Sequence, residues 1–250
     1  MRALYTAATG MTAQQTRIDT IADNLANAGT TGFKKGRAAF EDVFYQQIGG
    51  GGTTNARADR GSGVRLAGLQ KDHVQGSLTA TGDPYHVALE GPGFLVLEDA
   101  GGRPLYTRDG ALRLDSDGTL VSNSGWKVRG DVRIPLEATA VTIGPDGTIE
   151  ATMDGEAVAI GQVELARFVN PAGLRARGGN VYETAPGSGD AIPIDAGEGT
   201  TVRQGFLETS NVDAAEELIE LILAQRAYEL NSKAVQAADE TLQTATQLRR

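Results

Sequence analysis

Residues 210–250 read SNVDAAEELIELILAQRAYELNSKAVQAADETLQTATQLRR, and this stretch decides the fold. It contains neither Gly nor Pro. Its apolar residues recur at seven-residue spacing, with two more that widen the same stripe: Leu221, Tyr228, Val235 and Leu242, then Leu218 and Ile222. This spacing places side chains on one seam of a helix that winds against a partner helix. Asp213 followed by Glu216 predicts the N-terminal cap of that helix.

A second amphipathic helix is predicted at the other end of the chain. Its apolar residues are also seven apart: Leu4, Met11, Ile18 and Leu25. Asn27-Ala28-Gly29 then predicts a helix end, because glycine tolerates the left-handed conformation that closes many helices. The two helices predict a helical domain, packed either as an antiparallel pair within one chain or as a coiled coil between chains. The spacing alone leaves both arrangements open.

Composition excludes several classes of function. The 250 residues carry a net charge of −9, whereas a nucleic-acid binder normally presents a basic face. There is no cysteine, which excludes disulfides and cysteine-based zinc sites. No apolar run reaches the roughly 18 residues of a membrane span, so direct membrane insertion is not expected. The N-terminal residues lack an apolar signal-peptide core, so an exported chain is expected to leave the cell without a cleaved signal.

Between the helices, the sequence changes to short alternating runs that are typical of β-strands. Three Asp-Gly pairs separate such runs, and each predicts a hairpin: Asp109-Gly110, Asp117-Gly118 and Asp146-Gly147. The predicted fold class is α+β, with long N- and C-terminal helices forming a coiled-coil-like region and an all-β, antiparallel middle domain. The predicted segments are residues 1–45 with the N-terminal helix, 46–63 as a Gly-rich flexible segment, 64–207 as the β domain, and 208–250 with the C-terminal helix.

The residues that carry chemistry are few. His73 and His86 are the only histidines, and neither lies in a metal-ligand or catalytic-triad pattern. Residues 115–118 read DSDG, but the glycine and glutamate that a calcium-binding EF-hand loop requires are absent, so a hairpin turn accounts for them better. We therefore predict no catalytic residues, no cofactor and no metal site.

Motifs along the whole chain resemble one known family. They are DNLANAGTTGFK at residues 23–34, GPGF at 91–94, YTRDG at 106–110, GNVYET at 179–184, ETSNV at 208–212 and QRAYE at 225–229. Together they resemble the bacterial flagellar rod and hook proteins, and NSKAV at 231–235 is most similar to the distal rod branch. The resemblance implies that the family-motif residues are Asn24, Leu25, Asn27, Thr30, Gly32, Phe33, Ser210, Asn211 and Arg226.

The resemblance implies a structural subunit of the distal rod in the flagellar basal body, which spans the periplasm. Such subunits self-assemble into a helical tube that transmits torque and encloses an export channel, with the terminal helices inside. The expected partners are further copies of the chain, the proximal rod and hook proteins, the rings around the rod and the flagellar type III export apparatus. Residues 46–63 are shorter than expected for a distal rod protein, so a proximal rod or hook-like axial protein is the alternative.

Two hypotheses from other functional classes, a ligand-binding domain and a hydrolase, rank lower. A ligand-binding β domain would need a concave site lined with aromatic residues, and the middle of the chain has few of these. A hydrolase would need paired acidic residues or a nucleophile motif, and none stands out in the sequence.

The heptad spacing predicts an assembly interface along the seams of the two helices.

Overall fold

The computed structural model describes residues 2–43, 46–48, 58–60, 63–130, 132–197 and 199–247. The chain divides into two compact units. The first, called the helical unit below, comprises residues 1–26, 36–71 and 213–250. The second, called the β unit, comprises residues 27–35 and 72–212.

The helical unit contains two long helices and two short antiparallel strand pairs. The helices are α1 (Arg2–Ala26) and α2 (Ala214–Gln247). The strands are β1 (Gly36–Asp42) paired with β4 (Val64–Lys71), and β2 (Gln46–Ile48) paired with β3 (Ala58–Arg60). The β1–β4 register shifts between Ala39 and Phe40, where a bulge interrupts the pairing.

Both helix boundaries have local causes. At the start of α2, Asp213 Oδ1 accepts hydrogen bonds from the backbone N–H groups of Ala215 (2.8 Å) and Glu216 (3.2 Å), which confirms the predicted cap. Helix α1 ends at Ala26, as predicted. The reason given for that end is wrong, because Gly29 does not have a positive φ; Gly32 does, with a φ of 65°.

The division of the chain differs from the predicted segments in two respects. Residues 64–71 belong to the helical unit, because β4 pairs with β1 along its whole length. Residues 27–35 and 208–212 belong to the β unit, where hydrogen bonds hold them to other parts of that unit. Of the Gly-rich segment 46–63, residues 49–57, 61 and 62 lie outside the described residues, so its predicted flexibility stays a prediction.

The β unit is built from short strands and a single 3-10 turn (Pro171–Gly173), and its described residues include no α-helix. In chain order the strands are β5 (Leu78–Ala80), β6 (Val87–Glu90), β7 (Phe94–Glu98), β8 (Pro104–Thr107), β9 (Leu112–Leu114), β10 (Leu120–Ser122), β11 (Lys127–Val128), β12 (Ala140–Ile143), β13 (Thr148–Met153), β14 (Glu156–Gln162), β15 (Leu165–Arg167), β16 (Arg175–Gly178), β17 (Val181–Glu183), β18 (Ile192–Ile194), β19 (Thr201–Gln204) and β20 (Phe206–Glu208).

The largest sheet has the strand order β16-β17-β8-β7-β11-β10-β9, and β15 pairs with both β7 and β18. Smaller sheets are formed by β12-β13-β14, by β19-β6 and by β20-β5. All of these described pairings are antiparallel, as predicted. The α+β class of the chain is therefore confirmed.

Two of the three predicted Asp-Gly hairpins are present. Gly118 joins β9 to β10 and Gly147 joins β12 to β13, each with a positive φ. The hairpin predicted at Asp109-Gly110 is wrong, because β8 and β9 pair with other strands. Gly110 is needed there for close packing: a Cβ atom would lie 1.6 Å from the carbonyl oxygen of Val87.

The two units bury very different amounts of apolar side chain. The β unit has one large buried cluster, which includes Leu89, Leu97 and Ile149, and a smaller aromatic cluster around Phe94. In the helical unit, Ile21 and Ala224 are the only hydrophobic side chains that are buried among its described residues. The helical unit therefore has little hydrophobic core of its own.

Candidate assembly surface

Small and polar residues take part in the contact between α1 and α2. Arg17 of α1 forms an ion pair with Glu220 of α2. A Cβ atom on Gly10 would lie 3.1 Å from Nδ2 of Asn231, so the glycine allows a close approach of the helices. These contacts run antiparallel and recur at seven-residue spacing along α1. The coiled-coil-like packing of the two helices stays a prediction.

Asn24 is the buried polar centre of the helical unit. Its Oδ1 accepts the N–H of Gly36 (2.7 Å), and its Nδ2 donates to the carbonyl oxygen of Gly36 (2.9 Å) and to Oε2 of Glu217 (3.0 Å). The side chains of Asn24 and Glu217 are both buried. One family-motif side chain thus joins α1 to the start of β1 and to the first turn of α2.

The predicted α1 seam runs directly beside Gly10, Arg17 and Asn24 along the chain. Each of three seam residues directly follows a residue that contacts α2, since Met11 follows Gly10, Ile18 follows Arg17 and Leu25 follows Asn24. All four are only half-buried: Leu4, Met11, Ile18 and Leu25. The structure brings them together as one stripe on α1, next to the contact with α2.

The apolar residues of α2 are divided between two faces. Leu221 and Val235 are half-buried, and Tyr228 is at the edge of the same face. The other face carries five large apolar side chains that are 47–67 % exposed: Leu218, Ile219, Ile222, Leu223 and Leu230. The sequence analysis assigned Leu218 and Ile222 to the first stripe and missed the other three. The side chain of Leu242 lies outside the described residues.

The motif turn at residues 27–35 is held inside the β unit. Thr30 Oγ1 donates to Asn27 Oδ1 (3.2 Å), and Thr31 Oγ1 donates to Asp109 Oδ1 (3.0 Å). The Gly32 N–H donates to the carbonyl oxygen of Glu208 (2.8 Å). Phe33, which follows, is buried. Burial raises the pKa of the Asp109 carboxyl, while its hydrogen bonds from Ala111 and Thr31 act in the opposite direction.

A buried cluster of three charges lies next to this turn. Lys34 Nζ donates to Glu208 Oε1 (2.5 Å) and to the carbonyl oxygen of Val74 (2.8 Å). Arg108 Nη1 lies 3.3 Å from Glu208 Oε2, and the Gly76 N–H donates to Oε1 (2.8 Å). Burial lowers the pKa of the Lys34 ammonium and of the Arg108 guanidinium, while Glu208 raises both. Glu208 thus joins Lys34 of the N-terminal motif to Arg108, which directly follows β8.

The remaining motif residues are divided between the two units. Asn211 accepts the N–H of Lys35 at Oδ1 (2.7 Å) and donates from Nδ2 to the carbonyl oxygen of Asp72 (2.9 Å). Ser210 Oγ accepts the N–H of Val212 (3.3 Å). Arg226 is different, because it is exposed on α2. Most of the motif therefore stabilises the fold of a single chain.

Sequence analysis missed four residues that hold these clusters together: Arg108, Asp109, Glu208 and Glu217. Three of them lie within quoted motifs, in which a charged residue stands beside a strand of buried residues. That position is a usable signal, because a charge beside a buried strand needs an oppositely charged or hydrogen-bonding partner.

The two histidines have structural surroundings. His73 packs edge-on against Phe94 and Tyr182, and His86 Nδ1 lies 2.9 Å from Thr81 Oγ1.

The part of the chain that the structure describes contains no group of acidic and histidine residues arranged to hold a metal ion. None of its helices combines the length and apolar character that crossing a membrane requires.

Similar proteins decide the family. Family models match at residues 4–34 (flagella basal body rod protein), 88–151 (flagellar hook protein FlgE/F/G D1 domain) and 203–248 (flagellar basal body rod FlgEFG protein C-terminal). The flagellar basal-body rod protein FlgG of Borreliella burgdorferi is 44 % identical over 263 residues, which cover 100 % of this chain and 99 % of that protein. The chain belongs to the FlgG family of flagellar basal-body rod proteins.

Two other FlgG proteins extend this relationship. FlgG of Agrobacterium fabrum is 42 % identical and covers 96 % of each chain, and FlgG of Bacillus subtilis is 36 % identical and covers 100 % of each. The family models at the two ends cover most of α1 and α2 and the segments that hold Lys34 and Glu208. These relatives are named as flagellar basal-body rod proteins.

Proposed function

We propose that this chain is a structural subunit of the distal rod of the flagellar basal body. Its copies self-assemble through α1 and α2 into a helical tube that transmits torque and encloses an export channel. The names of its full-length relatives support this role. The contacts of the polymer are assigned to the predicted α1 seam and to the exposed face of α2, which includes Leu218 and Ile222 of the predicted α2 seam. The hydrogen-bonded motif clusters stabilise the fold of each subunit.

The exposed apolar face of α2 is the observation that carries this proposal. Soluble monomers rarely expose contiguous apolar patches, and large ones mark interaction sites. Burying one large apolar side chain contributes roughly 1.5–3 kcal/mol, so five of them supply a strong drive to associate. The half-buried stripe of α1, from Leu4 to Leu25, adds a second surface that further copies can cover.

The partners follow from this role. The proximal rod and hook proteins join the tube at its ends, and rings surround it in the periplasm. The flagellar type III export apparatus delivers the subunits.

A proximal rod or hook-like axial subunit is the second candidate. The flagellar hook protein FlgE of Treponema pallidum is 39 % identical over 137 residues, which cover 52 % of this chain and 29 % of that protein. The family model at residues 88–151 also names hook and rod proteins together. Localising a tagged chain in isolated basal bodies separates the two candidates: the distal rod predicts a position next to the hook.

A pair of matched variants tests the assembly face. Leu223→Asp introduces a charge on the exposed face of α2, and Leu136→Asp introduces the same charge on the β unit, where Leu136 is 86 % exposed. Each variant replaces the wild-type chain, so that the cells contain no wild-type copy. We expect Leu223→Asp to abolish rods and swimming, because a charge would be buried between subunits. Leu136→Asp is expected to preserve both. Normal rods with Leu223→Asp would contradict the proposal.

A further inference from the structure

Helix α1 presents a stripe of small and polar residues to solvent. The exposed side chains recur at alternating spacings of three and four, and we call them the outward seam of α1: Tyr5, Ala8, Thr12, Gln15, Asp19, Ala22 and Ala26. Asp19 is the one charged residue in this seam, and its carboxylate accepts a hydrogen bond from Gln15 Nε2 (2.9 Å). Alternating spacings of three and four place these residues along one line of the helix.

Helix α2 presents a line of exposed residues with the same spacing. We call it the outward seam of α2: Ile219, Leu223, Arg226, Leu230, Lys233, Ala237 and Glu240. Its first part is a large apolar surface with Arg226 in the middle. Arg226 has no hydrogen bond or ion pair with any residue that the structure describes. An arginine surrounded by large apolar residues needs a carboxylate once that surface is covered.

We propose that the outward seam of α2 docks antiparallel on the outward seam of α1 of a second copy, with Arg226 paired to Asp19 of that copy. The two seams then match in size as well as in charge. Ala26 lies opposite Ile219, Ala22 opposite Leu223 and Gln15 opposite Leu230, so small or polar residues face large ones. This inference rests on the proposed function and identifies the residues that set its register.

The register has a geometric consequence. Within one chain Asn24 lies level with Glu217, and the antiparallel arrangement then places Asp19 level with Ile222. Pairing Asp19 with Arg226 of another copy shifts the contact by four residues, which is about 6 Å along the helix. Copies that point in the same axial direction are therefore displaced from one another. A displaced head-to-tail contact does not close into a ring and continues as a helix.

The charge pair selects one register among several. Apolar seams alone tolerate sliding by a heptad, whereas burying a charge without its partner is strongly unfavourable. A slide by one heptad would place Lys233 opposite Asp19 but leave Arg226 opposite Ala26, so the Arg226–Asp19 pair favours the proposed alignment.

Charge reversal in separate copies tests this pairing. Asp19→Arg alone and Arg226→Asp alone place like charges opposite one another, so we expect each variant to abolish rods and swimming. Cells that express both variants together are expected to recover, because alternating copies restore an opposite pair at every contact. Arg113→Asp is the control, since it reverses an exposed arginine on β9 and is expected to have no effect.

Engineered cysteines give an independent readout, because the natural chain contains none. Copies carrying Ala22→Cys and copies carrying Leu223→Cys are expected to cross-link to each other in isolated rods after oxidation. Ala22→Cys with Leu230→Cys, about two turns away, is expected to stay uncross-linked.

The proposal is overturned if both single reversals swim normally, if co-expression does not restore rods, or if the Ala22–Leu223 cross-link is absent. The Leu223→Asp variant distinguishes a wrong Arg226–Asp19 register from a wrong assignment of the assembly surface. If Leu223→Asp abolishes rods while the reversals do not, the helix face assembles the polymer and only the Arg226–Asp19 register is wrong.

Discussion

Gly32 and Gly29 lie three residues apart in the turn after α1, and their surroundings differ sharply. Gly32 has a φ of 65°, and a Cβ atom there would lie 2.6 Å from the backbone nitrogen of Asp109. Gly29 has no positive φ, and a Cβ atom there would meet nothing within 4 Å. The first glycine is required by its backbone conformation and packing, and the second is not.

This contrast predicts the stability of two alanine variants. Gly32→Ala combines left-handed strain of about 1–3 kcal/mol with a clash against backbone that cannot easily move, so the β unit should be destabilised by at least that amount. Gly29→Ala should change the free energy of unfolding by less than about 1 kcal/mol. Urea denaturation followed by the fluorescence of Trp126, the single tryptophan, measures both. Equal effects would show that the turn does not press against Asp109.

At the scale of elements, Glu208 at the end of β20 holds two separate segments through Lys34 and Arg108. All three side chains are buried, so the carboxylate is what balances the two cations. By contrast, Glu183 pairs with Arg175 on the surface, where 69 % of the arginine side chain is exposed. The two carboxylates lie in the same unit, and their ion pairs differ mainly in burial.

Neutralising each carboxylate separates these cases. Glu208→Gln leaves Lys34 and Arg108 buried without a carboxylate, and it should cost about 3–5 kcal/mol. Glu183→Gln should cost no more than about 1 kcal/mol, because water and salt screen an exposed pair. The midpoint of urea unfolding at neutral pH gives both values. A cost below about 1 kcal/mol for Glu208→Gln would mean that the cluster does not join the two motif segments.

How far sequence could predict these elements depends on the range of the interactions. The cap at Asp213 and the turns at Gly118 and Gly147 arise from neighbouring residues, so a local pattern was sufficient. The hairpin prediction at Gly110 was wrong because this glycine is needed for close packing against the carbonyl oxygen of Val87, which is distant in sequence. For a similar reason, hydrophobic spacing could not show that Arg17 and Asn24 contact α2.

At the scale of the whole molecule, the two units differ in how much core they have. The helical unit buries only Ile21 and Ala224 among its described hydrophobic residues, whereas the β unit has two buried clusters. Segments with few buried apolar contacts open locally at a lower free energy than the core does. The helices should therefore gain much of their stability from neighbouring copies, in which their exposed seams become buried.

Hydrogen exchange on the monomer and on isolated rods measures this coupling. In the monomer, amides of α1 and α2 should exchange much faster than those of β7 and β8, because the helices lack a hydrophobic core of their own. In rods the same helical amides should slow strongly, while those of β7 and β8 should change little. The β unit is the internal control, since its core is complete within one chain. Equal protection of the helices in both states would mean that the exposed seams add nothing to helix stability, and assembly would then have to act through the β unit.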